Sequence, residues 1–236
     1  MKRFSITLMV VALVVTGCLS STAATRKFSL SNEVLSSYIA GDAENLHRGP
    51  VNQTNFQISF RGFYVGLWSS TGLDGRPNSG REIDYTIGWA NNVFSVGISR
   101  FDLNPLFSSK GGDIIQPFGE ITISVSKEVS PFLAVEHLYV TKDPAKNSAT
   151  SVAAGAKLNF QPEGSTVSFS HNLRVAYSDG VYGVDKGYIF RYEFRLNKEF
   201  PGGTFNLFHF RYLQPLSKMS DRWNEVAVGS GITFNF

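Results

Sequence analysis

Cysteine is almost absent from this sequence of 236 residues, in which Cys18 is the only one. A single thiol cannot form a disulfide within the chain, and it cannot supply the several thiolates of a structural zinc site. No other cluster of metal-binding residue types stands out. We therefore expect no metal site and no cofactor.

Long hydrophobic runs are equally scarce. The only one, Phe4–Val15, follows a basic start with Lys2 and Arg3, and it is too short to anchor a chain across a membrane. A basic head, a short apolar run and small residues after it are typical of a secretory signal peptide. We expect residues 1–24 to be this signal and residues 25–236 to form the exported domain.

Two cleavage sites compete in this segment. Ser21–Ala24 suits ordinary signal peptidase, whereas Val15–Cys18 fits a lipobox, in which cleavage before Cys18 and lipidation of its thiol would produce a lipoprotein. Both remain open from the sequence.

Charge of either sign is modest. The chain carries a net charge of +3, and this falls to +1 without residues 1–24, because they contain Lys2 and Arg3 and no acid. No basic patch stands out. The balance therefore indicates no nucleic-acid partner.

Helical periodicity is missing after residue 28. Apolar and polar residues alternate there instead, as in β-strands. In Arg81–Ala90, apolar Ile83, Tyr85, Ile87 and Trp89 alternate with polar or small residues, and Asn224–Phe236 alternates in the same way to its last residue. About twelve such runs, separated by turn signals, predict an all-β, antiparallel up-and-down barrel.

The connections between these runs alternate between long polar loops and short turns. With an even number of strands, this rhythm places every long loop on one side of a membrane and every short turn on the other, as in outer-membrane barrels. We expect a transmembrane β-barrel in the outer membrane of a Gram-negative bacterium, with lipid around it.

The last strand resembles the closing strand of bacterial outer-membrane barrels, whose final Phe is read by the assembly machinery. The resemblance implies that Ile232, Phe234 and Phe236 act as the assembly signal, and that this machinery is a partner.

Each predicted strand would have one face toward the lipid and the other toward the lumen. Apolar side chains would contact lipid, and the opposite face would line the interior. The charged residues predicted to line the lumen are Glu82, Asp84, Glu120, Glu136, Lys157, Arg174, Arg191, Glu193, Arg195 and Glu225. They could line an open channel, or they could pair and fill a narrow, stiff barrel. The aromatics expected in interfacial girdles are Trp68, Trp89, Tyr139, Tyr177, Tyr188 and Trp223.

A lipid hydrolase is the remaining alternative, because such barrels place a His beside a Ser at the lipid face. His47 lies in a predicted loop. The strand histidines 137, 171 and 209 have Tyr139, Leu173 and Arg211 as their same-face neighbours two residues on, and none of these is a Ser. We therefore predict no catalytic residues and no enzyme.

The stretch Gly62–Ile98 resembles the TorF-type porin family. The shared motif combines a Gly-Phe-Tyr-x-Gly-x-Trp-x-Ser strand with a later Glu-Ile-Asp-x-x-x-Gly. It is carried here by Gly62, Phe63, Tyr64, Gly66, Trp68, Ser70, Glu82, Ile83, Asp84 and Gly88. The resemblance implies an outer-membrane barrel of porin type.

These observations favour a narrow diffusion channel for small solutes. The second hypothesis is a closed structural barrel that presents its loops, especially Gly41–Pro50 and Thr71–Gly80, to a partner.

Overall fold

A computed structural model describes residues 27–40, 44–75, 81–102, 114–140, 148–180, 186–217 and 224–236. The predicted signal peptide, Cys18, Trp223 and parts of the long loops lie outside these residues. The described residues form strands and no helices. The strands are β1 (Lys27–Leu35), β2 (Tyr38–Ala40), β3 (Glu44–His47), β4 (Val51–Phe60), β5 (Phe63–Gly72), β6 (Glu82–Ala90), β7 (Phe94–Asp102), β8 (Ile114–Thr122), β9 (Val129–Val140), β10 (Ala149–Phe160), β11 (Val167–Ser178), β12 (Gly187–Phe200), β13 (Gly203–Pro215) and β14 (Glu225–Asn235).

Twelve of these strands form one closed antiparallel barrel. Each barrel strand pairs with the next along the chain, and β1 pairs with both β4 and β14. The closing pair runs from Ser29 opposite Asn235 to Leu35 opposite Gly229. Closure leaves no free sheet edge. The predicted all-β up-and-down barrel of about twelve strands is confirmed.

The connections also follow the predicted rhythm. At one end of the barrel, short turns join β4 to β5, β6 to β7, β8 to β9, β10 to β11 and β12 to β13. Two of these turns have only two residues, and in one of them, Arg61–Gly62, both residues have positive φ, 49° and 86°. Such a turn twists the chain in the sense that the two strands require. All longer connections lie at the opposite end, here called the long-loop end.

The outer face of the barrel is apolar. Leu133 is 61 % exposed, Val152 53 % and Val226 50 %. Side chains of this kind are stable at an outer surface when hydrocarbon covers them. In the described residues, no helix is long and apolar enough to cross a membrane.

The first strand is shorter than the sequence pattern suggested. In the sequence, Leu30–Ala40 reads as one irregular run. In the structure, β1 spans Lys27–Leu35, and the separate strands β2 and β3 pair with each other as a small hairpin. At the break, the Ser37 hydroxyl donates to the Val226 carbonyl. The chain then turns inward, where Ile39 becomes fully buried.

Candidate pore interior

The inner face follows from the register of the strands. Side chains alternate between the two faces of a strand. One residue known to point inward therefore shows that the residues two positions away also point inward. On β6, buried Glu82 fixes Asp84, and on β12 buried Ile189 fixes Arg191, Glu193 and Arg195. Extended around the barrel, the register places all of the following on the inner face: Glu82, Asp84, Glu120, Glu136, Lys157, Arg174, Arg191, Glu193, Arg195 and Glu225.

Most of these charges are paired with one another. Lys157 donates to Glu120, and Arg174 Nη2 lies 3.4 Å from Glu136 Oε1. Each of these pairs reaches across one intervening strand. Ion pairs of this kind neutralise charge within a confined space, where unpaired charge is unfavourable.

Glu193 pairs with two arginines on the neighbouring positions. Its Oε1 lies 2.8 Å from Arg211 Nε and 3.7 Å from Arg191 Nε. Arg211 was not among the residues predicted to line the lumen. Alternation along β13 could have identified it. Arg211 lies two residues before inward Leu213 and between outward Phe210 and Tyr212.

A second residue missing from the predicted set is Glu33 on β1. Its Oε1 accepts hydrogen bonds from Arg195 Nη1 at 2.8 Å and from Asn206 Nδ2 at 2.6 Å. Its Oε2 lies 3.4 Å from Nδ1 of His209, a fully buried side chain. We call Glu33, Arg195, Asn206 and His209 the seam cluster, because they join β1 to β12 and β13.

The seam cluster passes over the last strand, which has glycines beneath it. Gly231 is opposite Glu33 on one side and Asn206 on the other, and Gly229 is opposite His209. A Cβ on Gly231 would lie 2.6 Å from Glu33 Cγ and 2.4 Å from the Asn32 carbonyl oxygen. The bare glycine surface is what lets Glu33 reach across β14.

The β2–β3 hairpin occupies part of the lumen at the long-loop end. Ile39 packs against Ile189, Leu213 and Ala227 on the inner wall of β12, β13 and β14. Arg211 Nη1 also donates to the Ile39 carbonyl at 2.9 Å. This side of the hairpin is therefore fixed to the wall by both apolar and polar contacts.

The other side of the hairpin reaches the opposite wall. Tyr38 packs with Leu35, Val51 and Trp68, and its hydroxyl donates to Glu82 Oε2 at 2.6 Å. Burial raises the pKa of the Tyr38 hydroxyl, and nearby carboxylates raise it further, so the hydroxyl stays protonated and remains a donor. The hairpin thus bridges the mouth of the barrel.

Trp68 corrects part of the predicted aromatic girdles. It lies on the inner face, with its ring centroid 5.4 Å from that of Tyr38, and not at the lipid interface. Inside the barrel, Trp68 packs against the β2–β3 hairpin. The sequence pattern did not predict that a hairpin lies there. Tyr139, Tyr177 and Tyr188 are exposed near the long-loop end, as an interfacial position requires.

The histidines do not assemble a serine hydrolase in the described residues. His137 Nδ1 lies 2.8 Å from the Thr150 hydroxyl, and His171 Nδ1 lies 2.8 Å from the phenol of Tyr192. His209 faces Glu33. None of these three imidazoles has a Ser hydroxyl as its partner.

Comparison with solved structures identifies outer-membrane channels of the same fold. The chain is similar to the NanC porin (TM-score 0.55, 14 % identity, 88 % of this chain and 98 % of that one) and to the KdgM porin (0.54, 11 %, 89 % and 99 %). It is also similar to the COG4313 outer membrane channel from Pseudomonas putida F1 (0.50, 7 %, 92 % and 97 %). At these identities the similarity shows the fold alone.

No protein-family model and no curated protein matches the sequence. The structural neighbours are outer-membrane porins and channels, and what they share with this chain is the barrel fold. The finer resemblance to TorF-type porins rests on its sequence motifs.

Proposed function

We propose that the protein is a narrow diffusion channel for small solutes in the bacterial outer membrane. The observation that carries this proposal is the division of the closed barrel into an apolar outer face and a charged inner face. Such a barrel is stable only with hydrocarbon outside and polar contacts or water inside. We propose no enzymatic role: the strand histidines 137, 171 and 209 have Thr150, Tyr192 and Glu33 as their partners.

The orientation follows from the connections. The start of β1 and the end of β14 both lie at the short-turn end. With this end in the periplasm, the long loops would face the outside of the cell, as in other barrels of this kind. The TorF-type motif in Gly62–Ile98 agrees with this assignment, and we include membership of that family in the proposal.

The channel would be narrowest at its long-loop end. There Tyr38 and Ile39 connect opposite walls, and the inward cluster of Ile114, Leu138 and Ala149 fills part of the wall of β8, β9 and β10. Glu82 and Glu225 lie at this level, and below it inward charges such as Glu120, Lys157 and Arg195 would line the path. A narrow mouth restricts the channel to small solutes.

Planar-bilayer recording tests the proposal. The mature chain, refolded and shown to be folded by its altered mobility on a denaturing gel without boiling, should produce small, discrete conductance steps. Folded protein that leaves the bilayer silent under all voltages would contradict an open channel.

The hairpin gives a second test of the same channel. Replacing residues 38–47 by a short Gly-Ser linker should increase the unit conductance, because the linker removes both the Tyr38 and the Ile39 contacts from the mouth. Ile39→Ser should increase the unit conductance less, and it should make transitions between conductance levels more frequent. An unchanged conductance in both variants would show that the path avoids the hairpin.

A closed barrel is the second candidate, and the bridging hairpin and paired charges favour it. In that case the wild-type protein and the linker variant would both be silent, and the long loops would be the binding surface. Deleting residues 71–80 should then abolish partner binding without changing the folded mobility on gels.

The last strand would guide assembly. Phe234 and Phe236 are outward and exposed, and Ile232 shares their face. Phe236→Ala should lower the yield of folded barrel in membranes while leaving in vitro refolding in detergent unchanged. Equal yields in membranes would contradict this role.

A further inference from the structure

Two aromatic side chains, Tyr64 on β5 and Phe118 on β8, point into the lumen at the same level of the sheet. Two paired glycines lie between them and complete one row across four strands, here called the aromatic row: Tyr64, Gly88, Gly97 and Phe118. Alternation from inward Glu82 and Glu120, together with this register, places the whole row on the inner face.

The two glycines let both rings lie along the wall. A Cβ on Gly88 would be 2.5 Å from Cζ and Oη of Tyr64, and a Cβ on Gly97 would be 2.6 Å from Cζ of Phe118. Each ring thus fills the space that a side chain on its glycine would take, and the two rings extend toward each other. Neighbouring strands are about 4.8 Å apart, so the row forms an aromatic strip of about 14 Å.

A third inward ring shows what a covered ring looks like in this barrel. Phe132 on β9 lies over Gly155 in the same way, with its Cζ 2.6 Å from the position of a Cβ. The ammonium of Lys157 lies 5.2 Å from the centroid of that ring, and Phe132 is only 4 % exposed. Tyr64 and Phe118 are half-buried. Because both point inward, the exposed part of each ring faces the lumen.

On β4 to β7 the wall beside the aromatic row is polar and uncharged. The hydroxyl oxygens of Thr86 and Ser99 are 2.8 Å apart, two residues from the glycines on the same strands. Gln57 and Ser59 point inward on β4, where Ser59 is opposite Tyr64. Amides and hydroxyls both donate and accept hydrogen bonds. They therefore suit a solute that has donors and acceptors along its edge.

The charges nearest to the row lie at its β8 end. Glu136 is opposite Phe118, and Glu120 is two residues further along β8. Their partners are Arg174 and Lys157 on β11 and β10. Acids rather than bases flank the row itself, so it favours an uncharged solute over an anion.

We propose that the aromatic row binds uncharged heteroaromatic solutes of the nucleoside type as they cross the lumen. The base would stack on the rings of Tyr64 and Phe118, because aromatic systems attract one another in offset arrangements. The edge of the base and the ribose hydroxyls would bind to Gln57 and to the Thr86 and Ser99 hydroxyls. The site rests on the proposed channel, since only the lumen gives access to it.

Calorimetric titration of the refolded mature chain in detergent measures this binding without any requirement for conductance. Uridine should bind more tightly than dihydrouridine, which keeps the ribose and the carbonyl and N–H groups of the base but loses the flat aromatic ring. Ribose alone should bind more weakly still. The order of these three affinities tests the stacking directly.

The two rings are tested by variants that keep an apolar side chain. Tyr64→Leu and Phe118→Leu should each weaken uridine binding about tenfold, because each removes one stacking surface. Ribose binding should be unchanged in both. Tyr64→Phe keeps the ring and should bind uridine nearly as tightly as the wild type.

Phe132→Leu is the matched control, because it removes an inward ring that also lies over a glycine but is covered by Lys157. Uridine binding should be unchanged. Phe63→Leu is a second control, since it removes an outward ring, 62 % exposed, from the residue before Tyr64. Altered mobility on a denaturing gel without boiling shows that each variant is folded.

The outcomes for the site and for the channel are distinguishable. A barrel that binds uridine but passes no current would contradict the channel and support the site. A barrel that conducts but binds uridine no better than dihydrouridine would overturn the site alone. An equal loss of uridine binding in Tyr64→Leu and in either control would also overturn it.

Discussion

The barrel has two unlike halves. Strands β1 and β4 to β8 are 9 or 10 residues long, whereas β9 to β14 have 11 to 14. In the described strands, the inward lysines and arginines lie on β10 to β13, apart from Lys27 at the start of β1. Apart from Lys27, the inward charges of the short half are acidic, whereas the long half presents bases together with the acids Glu136, Glu193 and Glu225.

This difference explains how the two halves are joined. Acids at the borders of the short half, Glu33 on β1 and Glu120 on β8, pair with Arg195 and Lys157 on the long half. Glu82 lies in the middle of the short half, beyond the reach of these bases. Its partner there is the Tyr38 hydroxyl, so the hairpin completes the polar contacts of the short half.

The outer faces differ as well. On the short half, Asn32 Nδ2 donates to Asn52 Oδ1 at 3.0 Å and to the Thr54 hydroxyl at 2.8 Å. On the long half, the corresponding surface carries stacked aromatics such as Phe169 and Phe194, with ring centroids 6.4 Å apart. Polar groups that bond with one another remain satisfied even at a lipid-facing surface.

The largest effect is expected where the halves meet. Glu33→Ala should destabilise the barrel by about 3–5 kcal/mol, because it leaves the base of a partly buried ion pair and two further polar groups without their partner. Urea unfolding in lipid vesicles, followed by tryptophan fluorescence, measures this loss. Glu128→Ala, in the short turn between β8 and β9, is the control. Its carboxylate is exposed and accepts a hydrogen bond from the Ser126 hydroxyl of the same turn, so its loss should change stability by at most about 1 kcal/mol.

The lipid-facing side of the long half gives the next test. Val135→Lys on β9 should destabilise by about 2–4 kcal/mol if that position lies near the middle of the bilayer. Tyr139→Lys lies on the same face but close to the long-loop end. It should lower the free energy of unfolding by no more than about 1 kcal/mol. Equal losses in the same unfolding assay would contradict the placement of the hydrocarbon layer.

Two inward glycines compare the halves directly. Gly231→Ala on β14 should destabilise by about 1–3 kcal/mol, because the added methyl group would collide with Glu33 and with the backbone of β1. Gly66→Ala on β5 should be nearly neutral, since its nearest neighbours would be 3.8 Å away. The two unfolding midpoints, measured side by side, decide whether the position beneath Glu33 needs a residue without a side chain.

The smallest effect concerns the hairpin. Tyr38→Phe keeps the ring against Trp68 and removes only the hydrogen bond to Glu82, so the loss should be about 1–2 kcal/mol. The folded barrel should remain intact, with more frequent transitions between conductance levels. A recording identical to that of the wild type would show that the hydrogen bond does not hold the hairpin.

Much of the barrel could be predicted because alternation is a local property. Strands such as Arg81–Ala90 carry their two faces in the order of their residues, and the turn residues mark where each strand ends. The hairpin could not be predicted in this way, because Leu30–Ala40 reads as one irregular run in which the adjacent residues Tyr38 and Ile39 both become buried. Residues distant in the sequence make their inward positions favourable. Ile189 and Leu213 pack against Ile39, and Trp68 packs against Tyr38.

The seam cluster shows the same limit. A β-bulge between Asn206 and His209 shifts the register of β13, so that an even-numbered and an odd-numbered side chain both face inward. Strict counting in twos assigns them to opposite faces.

The sequence by itself determined that the chain forms an even-numbered, closed antiparallel barrel with one apolar and one charged face, because these features depend on residues two positions apart. Only the tertiary structure decided which charges pair and what narrows the lumen. Both depend on side chains from strands far apart in the sequence, which closure of the barrel brings within hydrogen-bond distance.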